Sequence, residues 1–398
     1  MLLTDPSSNL ARCPRRDGHP AGLFSAALLL FAVACGREAP ENRTHEVVEI
    51  RGIPDLTIGA EDRGDDYIFA SVTGVAIDGD GRILVADAGS DNVRAYSDDG
   101  GFLFRVAGKG SGPGEVLGPC CLAIGPDGLL WVRDTGNARY NAYALSDSNA
   151  VYRSSIRMAH SAAGLFAPIT FDSLGQLIDV GMRSIPETPR AGTIRFYRTP
   201  NGDVADSVVV PAPPEGTVAM HAIDVQSGGA RVRGYVHQPF GSQHLVAHSP
   251  TGEWATAITS NYAITWFAAD GTEIRTIARE VTGPELSSAE TRRADSVLAQ
   301  RARRFGATLR DLPFGVPDRK APVRAIFFDR VGRLWVERAV AEGQPRVADV
   351  FERDGVHATT VEWAANIDLA RGAIRRALAV APAENELGVD YVVRLRFD

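Results

Sequence analysis

Short apolar runs broken by Asp/Gly turns set the rhythm of this chain. Val75-Ala76-Ile77 leads into Asp78-Gly79-Asp80-Gly81, and the alternating run Arg82-Ile83-Leu84-Val85-Ala86 leads out of it. An apolar run that short, followed by alternation, predicts two strands joined by a tight turn. Gly supplies the positive φ such a turn needs, and Asp bonds the turn backbone. A second pair of strands then flanks another turn. Val93–Tyr96 and Phe102–Arg105 flank Asp99-Gly100, and Ile264–Phe267 and Ile274–Ile277 flank Asp270-Gly271. The two turns of a unit lie 19 residues apart in both copies, Gly81 to Gly100 and Gly252 to Gly271.

The whole unit recurs. Gly81, Asp87, Gly89 and Tyr96 return 47 residues later as Gly128, Asp134, Gly136 and Tyr143, and Gly175 lies another 47 on. Gly252 and Gly332 follow at spacings of 77 and 80, one period plus about 30 inserted residues each. Four strands per 40–50 residues is the pattern of a propeller blade. With the linker Gly108-Lys-Gly-Ser-Gly-Pro-Gly-Glu115, the repeat resembles the NHL-type and six-bladed TolB-like propellers. Blade two departs from the pattern, with Ser146-Asp147-Ser148-Asn149 in place of the Asp-Gly turn. The resemblance implies an all-β, six-bladed β-propeller over residues 47–398. Its blade bodies are expected near 70–107, 118–158, 166–210, 243–280, 322–362 and 366–398. The last has too few elements, so Val47–Ile50 is expected to supply a strand and close the ring, which protects every edge.

Residues 283–306 break the rhythm with one short helix. Pro284 near the start, early acidic residues, late arginines and Gly306 at the end are helix signals. Its apolar positions Ala289, Val297 and Phe305 are too sparse for burial, which places it on one face of the disc.

The N-terminus reads differently. Arg12, Arg15 and Arg16 precede fourteen uncharged, mainly apolar residues, 21–34, which end at Cys35. That is a signal-peptide pattern, too short for a transmembrane helix of about 20 residues. Small residues before the cysteine resemble the lipobox of bacterial lipoproteins. The resemblance implies cleavage after residue 34, lipidation of Cys35 and a polar tether over 35–46. Gly36 in place of Asp implies sorting to the outer membrane, facing the periplasm. The anchored body is expected to be a monomer.

Composition narrows the function classes. The chain has 398 residues, 44% hydrophobic, and a net charge of −7. Removing 1–34 leaves 39 basic against 47 acidic residues, or −8. With no basic block, nucleic-acid binding is excluded.

Candidate chemistry is sparse. No metalloprotease, esterase or phosphate-loop motif occurs. Asp87 and Asp134 repeat and could line a channel and hold calcium through oxygen ligands; alternatively each caps a tight turn beside Gly89 or Gly136. His237, His244 and His248 could hold zinc or be loop histidines. Adjacent Cys120 and Cys121 could form a strained vicinal disulfide in an exported setting, or simply pack in an inner strand. Trp131, Trp254, Trp266, Trp335 and Trp363 fit packing between blades. The expectation is therefore a non-catalytic, lipid-anchored extracytoplasmic propeller that binds a ligand or an envelope protein or acts as a scaffold, with no cofactor. The alternative is a metal-dependent, lactonase-like hydrolase or lyase with calcium in the central channel.

Overall fold

A computed structural model describes residues 48–59, 63–158, 168–184, 191–227 and 230–398; Cys35, His45, His160 and the tether lie outside them. Strand β1 spans Val48–Ile58. It is followed by β2 (Val72–Ile77), β3 (Ile83–Asp87), β4 (Asn92–Tyr96) and β5 (Phe102–Ala107), paired in that order as one antiparallel sheet. The arrangement repeats in β6 (Pro119–Ile124), β7 (Leu130–Asp134), β8 (Arg139–Leu145) and β9 (Ala150–Arg157). It repeats again in β10 (Thr170–Phe171), β11 (Leu177–Ser184), β12 (Ala191–Arg198) and β13 (Val204–Val210). A hairpin, β14 (Met220–Ser227) and β15 (Ala230–His237), precedes a fourth such sheet. That sheet holds β16 (His244–His248), β17 (Trp254–Ile258), β18 (Tyr262–Phe267) and β19 (Glu273–Arg279).

The remaining strands differ from the expected separate blades. After helix α1 (Ser288–Arg304) come β20 (Val323–Phe328), β21 (Leu334–Arg338), β22 (Arg346–Phe351) and β23 (His357–Trp363). The chain ends with β24 (Ala373–Arg375), β25 (Leu378–Glu384) and β26 (Asp390–Phe397). All seven join β1 in one eight-stranded sheet, ordered β20-β21-β22-β23-β1-β26-β25-β24. The cause is the length of β1. Its first half pairs parallel with β23, Val48 opposite Thr359, and its second half pairs antiparallel with β26, Ile58 opposite Val392. One strand thus sews two four-stranded groups together.

The turn chemistry is uniform. Gly81, Gly128, Gly175, Gly252 and Gly332 close the first turn of their sheets with φ between 76° and 90°, a region L-residues avoid. Each sheet then packs on the next through an aromatic or a buried hydroxyl. Trp131 meets Phe171 edge-on with centroids 5.7 Å apart, and Trp266 meets Phe328 at 5.2 Å. Tyr140 of β8 donates to Asp179 of β11 at 2.9 Å, and Tyr262 of β18 to Asp349 of β22 at 2.6 Å. Strands β2 and β6 approach so closely that a Cβ on Gly74 would sit 2.6 Å from the Cys121 nitrogen.

Helix α1 starts at a capping box, in which Ser287 Oγ accepts from Glu290 N–H and the Glu290 carboxylate accepts from Ser287 N–H. Its buried stripe is Glu290, Ala294, Leu298 and Ala302, whereas Val297 is exposed. Leu298 and Ala302 share an apolar cluster with Val236 of β15 and with Ala307 and Leu312. The expected positions Ala289, Val297 and Phe305 miss this stripe, which runs through Ala294, Leu298 and Ala302 at four-residue spacing and gives the helix a buried face after all. Among the described residues, no helix is long and apolar enough to cross a membrane.

Candidate functional site

The first strands of the sheets end around one cavity of about 450 Å³. Its wall is built from Val75–Ile77, Leu122–Ile124, Ile169–Phe171, Val246–His248, Ile326–Phe328 and Ala373–Ile374, all drawn from β2, β6, β10, β16, β20 and β24 or their flanks. The physical reason is local. Each first strand is a short run ending at a tight turn, closed by Gly in five copies and by Arg376 in the sixth, so its end and the turn residues converge on one side of the ring. A volume of this size, apolar with a few polar groups, suits a small organic molecule.

The polar groups come from the turns and from behind the wall. In the first-turn motif the second residue is Gly79, Pro126, Ser173 and Pro250 in four copies, and Arg330 in the fifth. Arg330 reaches away from its own sheet. Its Nη1 donates to the Ile77 carbonyl at 3.1 Å and its Nη2 to the Ile124 carbonyl at 3.3 Å, on two other sheets. Arg375, at the end of β24, donates through Nη1 to the carbonyls of Asp78 and Gly79. A cleft of about 290 Å³ beside the cavity is lined by both arginines and by Arg376, and shares Arg330 and Ile124 with it. Burial, and secondarily the Arg375 charge, push the Arg330 pKa down. The sixth turn is strained as well, with Arg376 at φ 56°.

His248 lines the cavity and is 8% exposed, and its Nδ1 is buried without a hydrogen-bond partner. Burial first, then the nearby Arg195 charge, push its pKa down to about 3, so it is a neutral imidazole. Arg195 of β12 is fully buried. It donates through Nη2 to the Gly252 carbonyl at 3.0 Å and lies over the rings of Trp254 and Tyr197. Its Nε and Nη1 have no hydrogen-bond partner. Burial pushes its pKa down to about 10, against the opposing influence of Tyr197 and Asp172.

Asp87 and Asp134 lie elsewhere. Both sit at the end of a second strand, β3 and β7, and both are fully buried. Asp87 accepts from the Ala70, Ser71 and Ser90 amides, and Asp134 from Leu117 N–H, Asn137, Arg139 and Asn141. Each clamps the linker that enters its own sheet, and neither borders the cavity. The three clustered histidines are not brought together. His244 and His248 stand at opposite ends of β16, roughly 13 Å apart at the usual rise per residue. Among the described residues no group of three or more His, Cys, Asp or Glu side chains is placed to hold a metal ion. Cys120 and Cys121 are free thiols, with Cys121 at φ 52°. A hydrogen bond from the Cys121 thiol, with help from Arg133, pulls the Cys120 pKa down, while its neighbour's sulfur and burial raise that of Cys121.

Sequence reasoning missed Arg330, Arg375 and Arg195. A signal existed for Arg330, the only long side chain at a turn position otherwise held by Gly, Pro or Ser.

Sheets arranged in sequence around a shared cavity define a β-propeller. No family model matches the chain, and no curated protein matches it. Solved structures that resemble it include a Bacteroides fragilis protein classed as exported, 11% identical, covering 88% of this chain and 99% of that one with a TM-score of 0.46. Virginiamycin B lyase of Staphylococcus aureus is 10% identical, covering 86% and 88%, with a TM-score of 0.39. The calcium-binding protein regucalcin of Agrobacterium tumefaciens is 11% identical, covering 87% and 96%, with a TM-score of 0.36. Likeness at this level assigns no activity to this chain.

Proposed function

We propose that this chain is an exported, lipid-anchored, six-bladed propeller of the NHL or TolB-like kind that binds a small ligand in its central cavity without transforming it. The observation that carries the reading is the cavity itself, an apolar chamber walled by first strands and topped by a few directed polar groups. Six blades follow from counting the eight-stranded sheet as two groups joined through β1, one lined by β20 and the other by β24. Asp87 and Asp134 act as turn and linker clamps in this reading, and calcium has no role. Export and anchoring rest on the basic stretch, the apolar run over 21–34 and Cys35.

The competing reading, a metal-dependent hydrolase or lyase, needs at least three convergent carboxylate or histidine ligands. The test offers the mature protein a panel of lactones with added calcium or zinc. No turnover above background supports a binding protein. Turnover abolished by a chelator overturns it in favour of the hydrolase. Mass spectrometry of the envelope-purified protein is expected to find an acylated Cys35 at the new N-terminus, and an unmodified Cys35 would contradict the anchor.

A further inference from the structure

The charged residues that border the cavity are Arg330, Asp172 and Asp329. Arg330 borders it, Arg375 lines the adjoining cleft, and Arg195 is fully buried close enough to His248 to lower its pKa. The hydrogen bonds of all three go to backbone carbonyls: Ile77 and Ile124, Asp78 and Gly79, and Gly252. None has a carboxylate within 4.0 Å among the described residues. The other arginines of the first turns behave differently, for Arg82 pairs with Asp78 and Arg333 with Asp329.

The carboxylates that do border the cavity are otherwise engaged. Asp329 accepts from the Val331 and Arg333 amides, from Arg333 Nε and from Trp335 Nε1. Asp172 turns Oδ1 to the Leu174 and Gln176 amides. One guanidinium, that of Arg330, thus borders the chamber, and a second, that of Arg375, lines the cleft beside it. His248 Nδ1, buried in that wall without a partner, is an unmatched polar atom of the chamber itself. An anion beside Arg330 would meet its guanidinium, and that of Arg375, with charge-assisted bonds.

We infer that the cavity takes a small organic anion, its apolar body between the first strands and its carboxylate or phosphate at Arg330 and Arg375. This deepens the binding reading above and rests on it. Arg330 is placed to specify the acid, because the planar guanidinium already spans two carbonyls and presents its remaining donors as a fixed fork. Arg375 adds charge from the adjacent blade. The apolar wall selects a short chain or a single ring over a free inorganic ion.

Displacement of Nile red, a neutral dye that fluoresces in apolar surroundings, tests the inference with octanoate, octyl phosphate and octanol as competitors. At pH 7.5 and low salt, at least one of the two anions is expected to displace the dye at a tenfold lower concentration than octanol. The order of the two separates a carboxylate from a phosphate ligand. Arg330→Gln should erase that advantage and leave octanol unchanged, while Arg330→Lys keeps part of it by retaining the charge. Arg375→Gln, farther from the wall, is expected to lose about threefold and serves if Arg330→Gln misfolds. Octanol matching both anions in the wild type, or a full anion advantage in a folded Arg330→Gln protein, overturns the inference and leaves the cavity reading intact. Failure of the wild type to bind Nile red at all removes both.

Discussion

Asp134 gathers four donors from four residues onto one buried carboxylate. It holds the linker amide of Leu117 and the side chains of Asn137, Arg139 and Asn141, and removing it takes one shared acceptor from all four. Breaking a buried ion pair from one side costs roughly 3–5 kcal/mol. Asp134→Ala should therefore lose about that much in urea unfolding, and a loss under about 0.5 kcal/mol would show the clamp to be idle. The buried His248 makes a different claim. Its folded pKa lies near 3 against 6.5 for a free imidazole, so below pH 6.5 the unfolded chain takes a proton the native chain refuses. Its contribution is intact above that pH and drains as the pH falls toward 3, by about 1.4 kcal/mol per unit. Between pH 7.5 and 5.0 the stability gap between wild type and His248→Gln should shift by about 2 kcal/mol against the wild type. Curves that stay parallel would contradict the burial. At this scale the sequence exposed what repeats. Asp87 and Asp134 were visible by their common spacing, but the structural reading open for them was a turn cap, and their hold on the linker amides of Ala70, Ser71 and Leu117 was not foreseen. Arg195 and Tyr262 act across sheets, on partners 57 and 87 residues away, and no local pattern announces such a pairing.

Strand β1 is the element on which closure depends. Ile58 is 1% exposed and packs with Phe69, Val72 and Val392, whereas Ile53 on the same strand is 47% exposed. Ile58→Ala is expected to cost about 2–4 kcal/mol, and Ile53→Ala less than about 0.5. Equal, small losses in denaturant unfolding would mean that β1 is a dispensable edge. The chain's alternation made the strands and first turns legible, because Gly at positive φ and Asp at the turn start leave a fixed signature. It did not reveal the β14–β15 hairpin, which lies inside the insertion that broke the spacing. Nor did it give the packing face of α1, since small Ala294 and Ala302 carry the contact with Leu298. Gly234 belongs to the same contact, for a Cβ there would collide with the Phe305 ring.

For the molecule as a whole, the 47-residue period was the decisive feature, since repetition of a unit that cannot bury itself requires neighbours to stack. It could not show that β1 would run on far enough to join the last two groups into one sheet, because pairing across chain ends is a property of closure. It also could not place the cavity, which exists only once first strands distant in sequence converge. The central claim is that this convergence makes a binding site. Fluorescence titration of Nile red into wild type and Ala123→Phe tests it most directly, because Ala123 borders the cavity and is partly exposed there. One dye should bind saturably per wild-type chain, with at least a tenfold loss of affinity in a folded Ala123→Phe protein. Equal affinity in the two proteins, or binding that never saturates, would contradict it.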